Sequence, residues 1–151
     1  MYCWVGILLG LVLPITGVSA QDLTAGVAET LPIVGEIRDG MVLCGTTAGN
    51  APCTAGFDTN MVGVVALTPA AAFGPLTPIS GSAPVVHSGR VYVLVNLDGG
   101  EIKAGDFLTS STETGVAMRA GRSGYALGTA LQSYSGSGEN KVLAEIKIRP
   151  V

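Results

Sequence analysis

The sequence predicts an all-β domain, a small barrel or sandwich made from a pseudo-duplicated unit and preceded by an N-terminal hydrophobic helix. Three observations predict it. Short runs rich in Val, Ile, Leu and Ala recur about every 8–12 residues, with Gly, Asp, Asn and Pro between them. No stretch after Gln21 sustains a helical period. The segment Gly35–Gly49, "GEIRDGMVLCGTTAG", is nearly written again at Gly100–Gly115 as "GEIKAGDFLTSSTETG".

Taken in order, residues 1–20 come first. Tyr2 to Ala20 carry no charge, and "WVGILLGLVL" is an apolar run followed by Pro14 and "TGVSAQ". Val18 and Ala20 stand where a signal peptidase requires small residues, so residues 1–20 are predicted to be a cleaved signal peptide, with a retained membrane anchor as the alternative. Residues 21–151 form the single β-rich domain. Export gives Cys44 and Cys53 a meaning, since Cys3 lies in the leader. They bracket "GTTAGNAP", and an even pair across a flexible loop in an oxidising compartment is predicted to form a disulfide. A metal or redox pair would require further ligands or a C-x-x-C spacing, and neither is present.

"MVGVVAL" follows as a strand containing Gly63, and "TPAAAFG" has room for one helical turn at most. "RVYVLVN", Arg90 to Asn96, is apolar on both faces, as a central strand covered on both sides would be. Ile102 ends a strand, Gly105 turns the chain, and Phe107 and Leu108 begin the return. "KVLAEIKIR", Lys141 to Arg149, alternates. Val142, Ala144, Ile146 and Ile148 share one face, and Lys141, Glu145, Lys147 and Arg149 the other.

The repeat explains the order of these elements. Gly35 matches Gly100, Gly40 matches Gly105 and Leu43 matches Leu108, at a constant offset of 65 that also carries Gly63 onto Gly128. These six glycines are the predicted structural turns. Each copy reads strand, tight turn, strand, long loop, and a strand containing Gly. Two such halves are predicted to pack about a pseudo-two-fold axis.

Composition narrows the function. The chain has eight Lys and Arg, eleven Asp and Glu, and a net charge of −3. The basic residues are scattered, so no nucleic-acid surface is expected, and membrane contact is expected only through residues 1–20 if they are retained. His87 is the only histidine and is placed at a strand end. "HSGR" is not a nucleophile elbow, so no Ser-His-Asp site is expected. The carboxylates lie mostly at turns, where they cap backbone groups. "FDTN" at Phe57 to Asn60 and "NLDGGE" at Asn96 to Glu101 carry the alternative of a calcium site. Glycan binding is a further alternative, although no Trp follows the leader. Ser110 or Thr112 of "DFLTSSTETG" could serve a self-cleaving bond, the third alternative. "GRSGYALG" is neither a dinucleotide nor a P-loop fingerprint, and Arg119 of "AMRA" stands where a biotinyl domain has its modified lysine. No cofactor is expected.

From Asp39 onward the chain resembles an uncharacterised β-domain family of exported proteins in candidate-phyla and related bacteria. The residues that carry the resemblance are "FDTNMVGVV", "PVVHSGRVYVLV", "GEIKAGDFLTSS", "GVAMRA" and "GYALGTAL". The "GDFLTSS" to "LGTAL" part is also similar to β-domains attached to phage tail fibres and bacterial surface proteins. The resemblance implies an extracytoplasmic, secreted or surface-held β-domain, and no activity. The expectation is a non-enzymatic structural or interaction module of the cell envelope. Its Gly/Ala-rich surface and strand edges would suit a protein partner, a membrane complex or copies of itself.

Overall fold

The structure, a computed structural model, describes residues 26–74 and 79–151. The predicted leader, residues 1–20, lies outside the described residues. What is described is all-β, with no helix, as expected, and its antiparallel sheet curls into a half-barrel. The strands are β1 (Val27–Pro32), β2 (Val42–Thr46), β3 (Gly49–Pro52), β4 (Met61–Val65), β5 (Ala71–Phe73), β6 (Ser82–Leu94), β7 (Phe107–Ser110), β8 (Ala117–Arg119), β9 (Tyr125–Ala130) and β10 (Lys141–Pro150). "TPAAAFG" therefore contributes a short strand and no helical turn.

The sheet order is β3-β2-β4-β6-β10-β9-β7-β8, with β1 paired to β6 and β5 paired to β1. β6 organises the whole. Its 13 residues begin well before the Arg90 expected from the sequence. At Val85 and Val86 it pairs with both β1 and β4, and from Ser88 to Leu94 it pairs with β10. All these pairings are antiparallel. Among the described strands β5 lies parallel on β1, Val27 opposite Ala71 and Glu29 opposite Phe73.

Several pairings recur at one sequence offset. Leu43 pairs with Gly63 as Leu108 pairs with Gly128, and Val42 with Val64 as Phe107 with Thr129. The N–H of Gly40 donates to the Val65 carbonyl, and that of Val65 to Met41; Gly105, Ala130 and Asp106 repeat the exchange. Each of these partners is displaced by the same 65 positions (Gly40 to Gly105) found in the sequence.

Why strands form here follows from burial on both faces. Adjacent residues of a strand point to opposite faces. Val42, Val64 and Val86 belong to the larger core cluster, while their neighbours Leu43, Val65 and Val85 belong to a second one with Met41 and Leu94. The larger cluster runs across both halves, through Val91, Val93, Leu108, Leu127 and Ile146. β10 keeps the expected alternation from Ala144 to Lys147, with Ala144 and Ile146 buried and Glu145 and Lys147 exposed, but Leu143 on the second face is buried as well.

Candidate functional site

Cys44 on β2 and Cys53 just beyond β3 form the predicted disulfide, with Cα atoms 5.0 Å apart. Both are buried, and the bridge ties the hairpin at Leu43–Pro52 to the core. A disulfide of this kind belongs with an oxidising compartment.

Of the six glycines, Gly35, Gly40, Gly100 and Gly105 sit at chain reversals with φ between 86° and 99°. Gly63 and Gly128 do not turn the chain. They lie within β4 and β9, where the neighbouring strand leaves no room for a side chain: a Cβ would stand 2.5 Å from the Val86 carbonyl oxygen at Gly63 and 2.1 Å from that of Glu145 at Gly128.

The hydroxyl run of "LTSS" is buried and engaged. Thr109 Oγ1 donates to the Tyr125 carbonyl at 2.7 Å, and Ser111 Oγ to that of Val116 at 2.8 Å. Ser110 Oγ accepts from the N–H of Asp58 at 2.9 Å. Its carbonyl takes the N–H of Phe57, a residue held at φ 56° with Arg122 stacked 4.1 Å from its ring centroid. Thr112 is exposed. The polar turns are engaged in the same way. Asp58 Oδ1 accepts from the N–H of Asn60, and Asp106 Oδ2 from that of Lys103. Asn96 Nδ2 donates to Asp98 at 3.0 Å and to Glu113 at 2.8 Å. Among the described residues no group of three or more His, Cys, Asp or Glu side chains is placed to hold a metal ion.

One open groove collects residues that the sequence reading left apart. It has a volume of about 640 Å³, and strands β1, β5 and β6 form its walls. Volumes of this order suit a ligand or a short peptide segment. Val27 and Phe73 line it and remain 53% and 69% exposed, so the groove presents uncovered apolar surface. Its charged lining is Glu29 with His87. His87 is placed inside β6 and not at a strand end, because β6 starts at Ser82. His87 Nδ1 lies 2.9 Å from the Val62 carbonyl oxygen, which can only accept, so that nitrogen carries the hydrogen. In the neutral ring Nε2 is then an acceptor. It is enclosed, makes no hydrogen bond and lies 3.8 Å from Glu29 Oε2. Gly74, at φ 149°, ends β5 against Thr30.

The sequence held one signal for this groove. Ala66 to Gly81 contain no charged residue, a long gap for a surface segment. The pairing of β5 with β1 could not be read, because a three-residue parallel strand has no periodicity to show.

In comparison with known proteins, the chain matches no family model and no curated sequence at significant similarity.

Proposed function

We propose that the protein is a non-enzymatic interaction module of the cell envelope or cell surface, exported and held by its disulfide. The observation that carries this reading is the exposed apolar strip along β5 and β1. Val27 on β1 and Phe73 on β5 are both exposed. Edge strands are kept from pairing by shortness, Lys, Pro or inward charge, and β5, "AAF", has only its three-residue length. The Cys44–Cys53 bridge supports an extracytoplasmic location. The recurring pairings support a duplicated β-unit as the scaffold, with β6 pairing to β1 and β4 at its start and to β10 at its end. The engaged hydroxyls of Thr109, Ser110 and Ser111 support a structural role for that run rather than self-cleavage.

The test is photo-crosslinking in the intact producing cells. Benzoylphenylalanine at position 73 is expected to yield a higher-mass adduct, and the same residue at exposed position 139 is expected to yield none. Uncrosslinked monomer from both positions would overturn the reading.

A further inference from the structure

We propose that the β1–β5 groove binds an extended, apolar peptide segment of a protein partner, with a Lys or Arg of that segment seated at Glu29. The inference rests on the interaction-module reading and names the partner's chemistry.

Three features select this occupant. The first is charge. Among the charged lining groups the wall presents a carboxylate, and behind it an imidazole whose Nδ1 is committed to the Val62 carbonyl. Glu29 keeps a largely exposed carboxylate, its Oε2 3.8 Å from His87 Nε2. The complement of an exposed carboxylate is a donor-rich cation, an ammonium or a guanidinium. The second is shape. Val27 and Phe73 flank the acidic position on strands that pair side by side, Val27 opposite Ala71 and Phe73 opposite Glu29. An extended segment places alternate side chains on one face about 6.6–7 Å apart, the spacing that lets apolar residues flank a basic one. The third is the edge. β5 pairs with β1 on one side, and among the described residues no strand pairs with its other edge, where its uncharged sequence offers main-chain groups to an added strand. A second copy of this chain is the weaker fit, because its own β5 strand is uncharged and the chain as a whole carries net charge −3.

The experiment uses the full chain, isotopically labelled, and two blocked peptides. One is Ac-Val-Leu-Lys-Val-Leu-NH2, and the other has Glu in place of Lys. The Lys peptide is expected to shift the amide signals of Val27, Phe73, Gly74 and Ser88 in a saturable way. The Glu peptide is expected to bind about tenfold more weakly, the loss of one charge-assisted contact. Glu29→Gln should bring the two peptides to equal affinity. Phe73→Ala should weaken both, while amide signals of β7 to β9 stay in place and report an intact fold. Equal binding of both peptides to the wild type, or no shift at millimolar peptide, would overturn the proposal. So would shifts at these amides that appear with protein concentration alone alongside a dimer mass, since the groove would then take a second copy. An adduct at position 73 in cells together with either peptide failure would leave the interaction module standing and remove only the basic segment.

Discussion

At the scale of single residues, the glycines divide by mechanism, and the division can be measured. Gly128 has an ordinary strand conformation, so its requirement is space. Its missing Cβ would sit 2.1 Å from the Glu145 carbonyl oxygen, a backbone atom that moves only if β9 separates from β10. Gly138 has φ 84° and nothing within 4 Å of a built Cβ, so its requirement is conformation alone. Gly138→Ala is expected to lower stability by about 1–2 kcal/mol, the cost of a left-handed backbone for an L-residue. Gly128→Ala is expected to cost about 3 kcal/mol or more, because overpacking meets a hydrogen-bonded strand pair. Urea midpoints of the two variants check this, and equal losses would show that clash and conformation had been misassigned. The sequence displayed both glycines with equal clarity. The repeat singled out Gly128 with Gly63, but a repeat reports that a position matters and not whether φ or space is the reason.

At the scale of elements, the hairpin of β2 and β3 is the part that chemistry rather than packing closes. β3 is half-exposed along "GNAP", and its ladder to β2 is four pairs long. The disulfide spans nine residues, from Cys44 to Cys53, and both sulfur-bearing side chains lie in the larger core cluster. Reduction is expected to destabilise the fold by about 2–3 kcal/mol through the unfolded chain's regained freedom. Denaturation midpoints with and without reductant check this. The Cys44→Ala, Cys53→Ala double variant should lose at least as much, since it also gives up buried sulfur. A midpoint indifferent to reductant would mean that the loop is held by its hydrogen bonds alone. Elements with a clear pattern were legible before the structure: β10 from its alternation, the C-terminal half of β6 from its apolar run, and the cysteine pair from its loop. β5 and the first half of β6 were not. "SAPVVHSG" has a Pro and a Gly that read as turn signals, and only its central pairing to both β1 and β4 makes it a strand.

At the scale of the whole molecule, the shared strand decides how the protein unfolds. Two similar halves could in principle melt independently, as linked domains do. Here β6 belongs to both. Its N-terminal part carries β1 and β4, its C-terminal part carries β10, and the larger core cluster holds Val42 and Val64 of one half against Leu108 and Leu127 of the other. Losing either half would strip partners from β6 and open that cluster to water, and the second cluster, around Met41, Leu43, Val65 and Val85, is itself built partly on β6 and reaches Val116. The expectation is one cooperative transition. Methyl signals of Val64 and Leu127, both fully buried, should disappear at the same urea concentration. Leu127→Ala, in the second half, should cost about 2–5 kcal/mol and move both signals together by the same amount. If the Val64 signal kept its wild-type midpoint in that variant, the halves would be separate folding units joined by a long strand. The curl of the sheet was beyond the reach of sequence for the same reason that this experiment is informative. Strand pattern sets which faces are apolar, whereas the sharing of β6 between two units depends on pairings between Ala28 and Val86 and between Arg90 and Glu145, far apart in the chain.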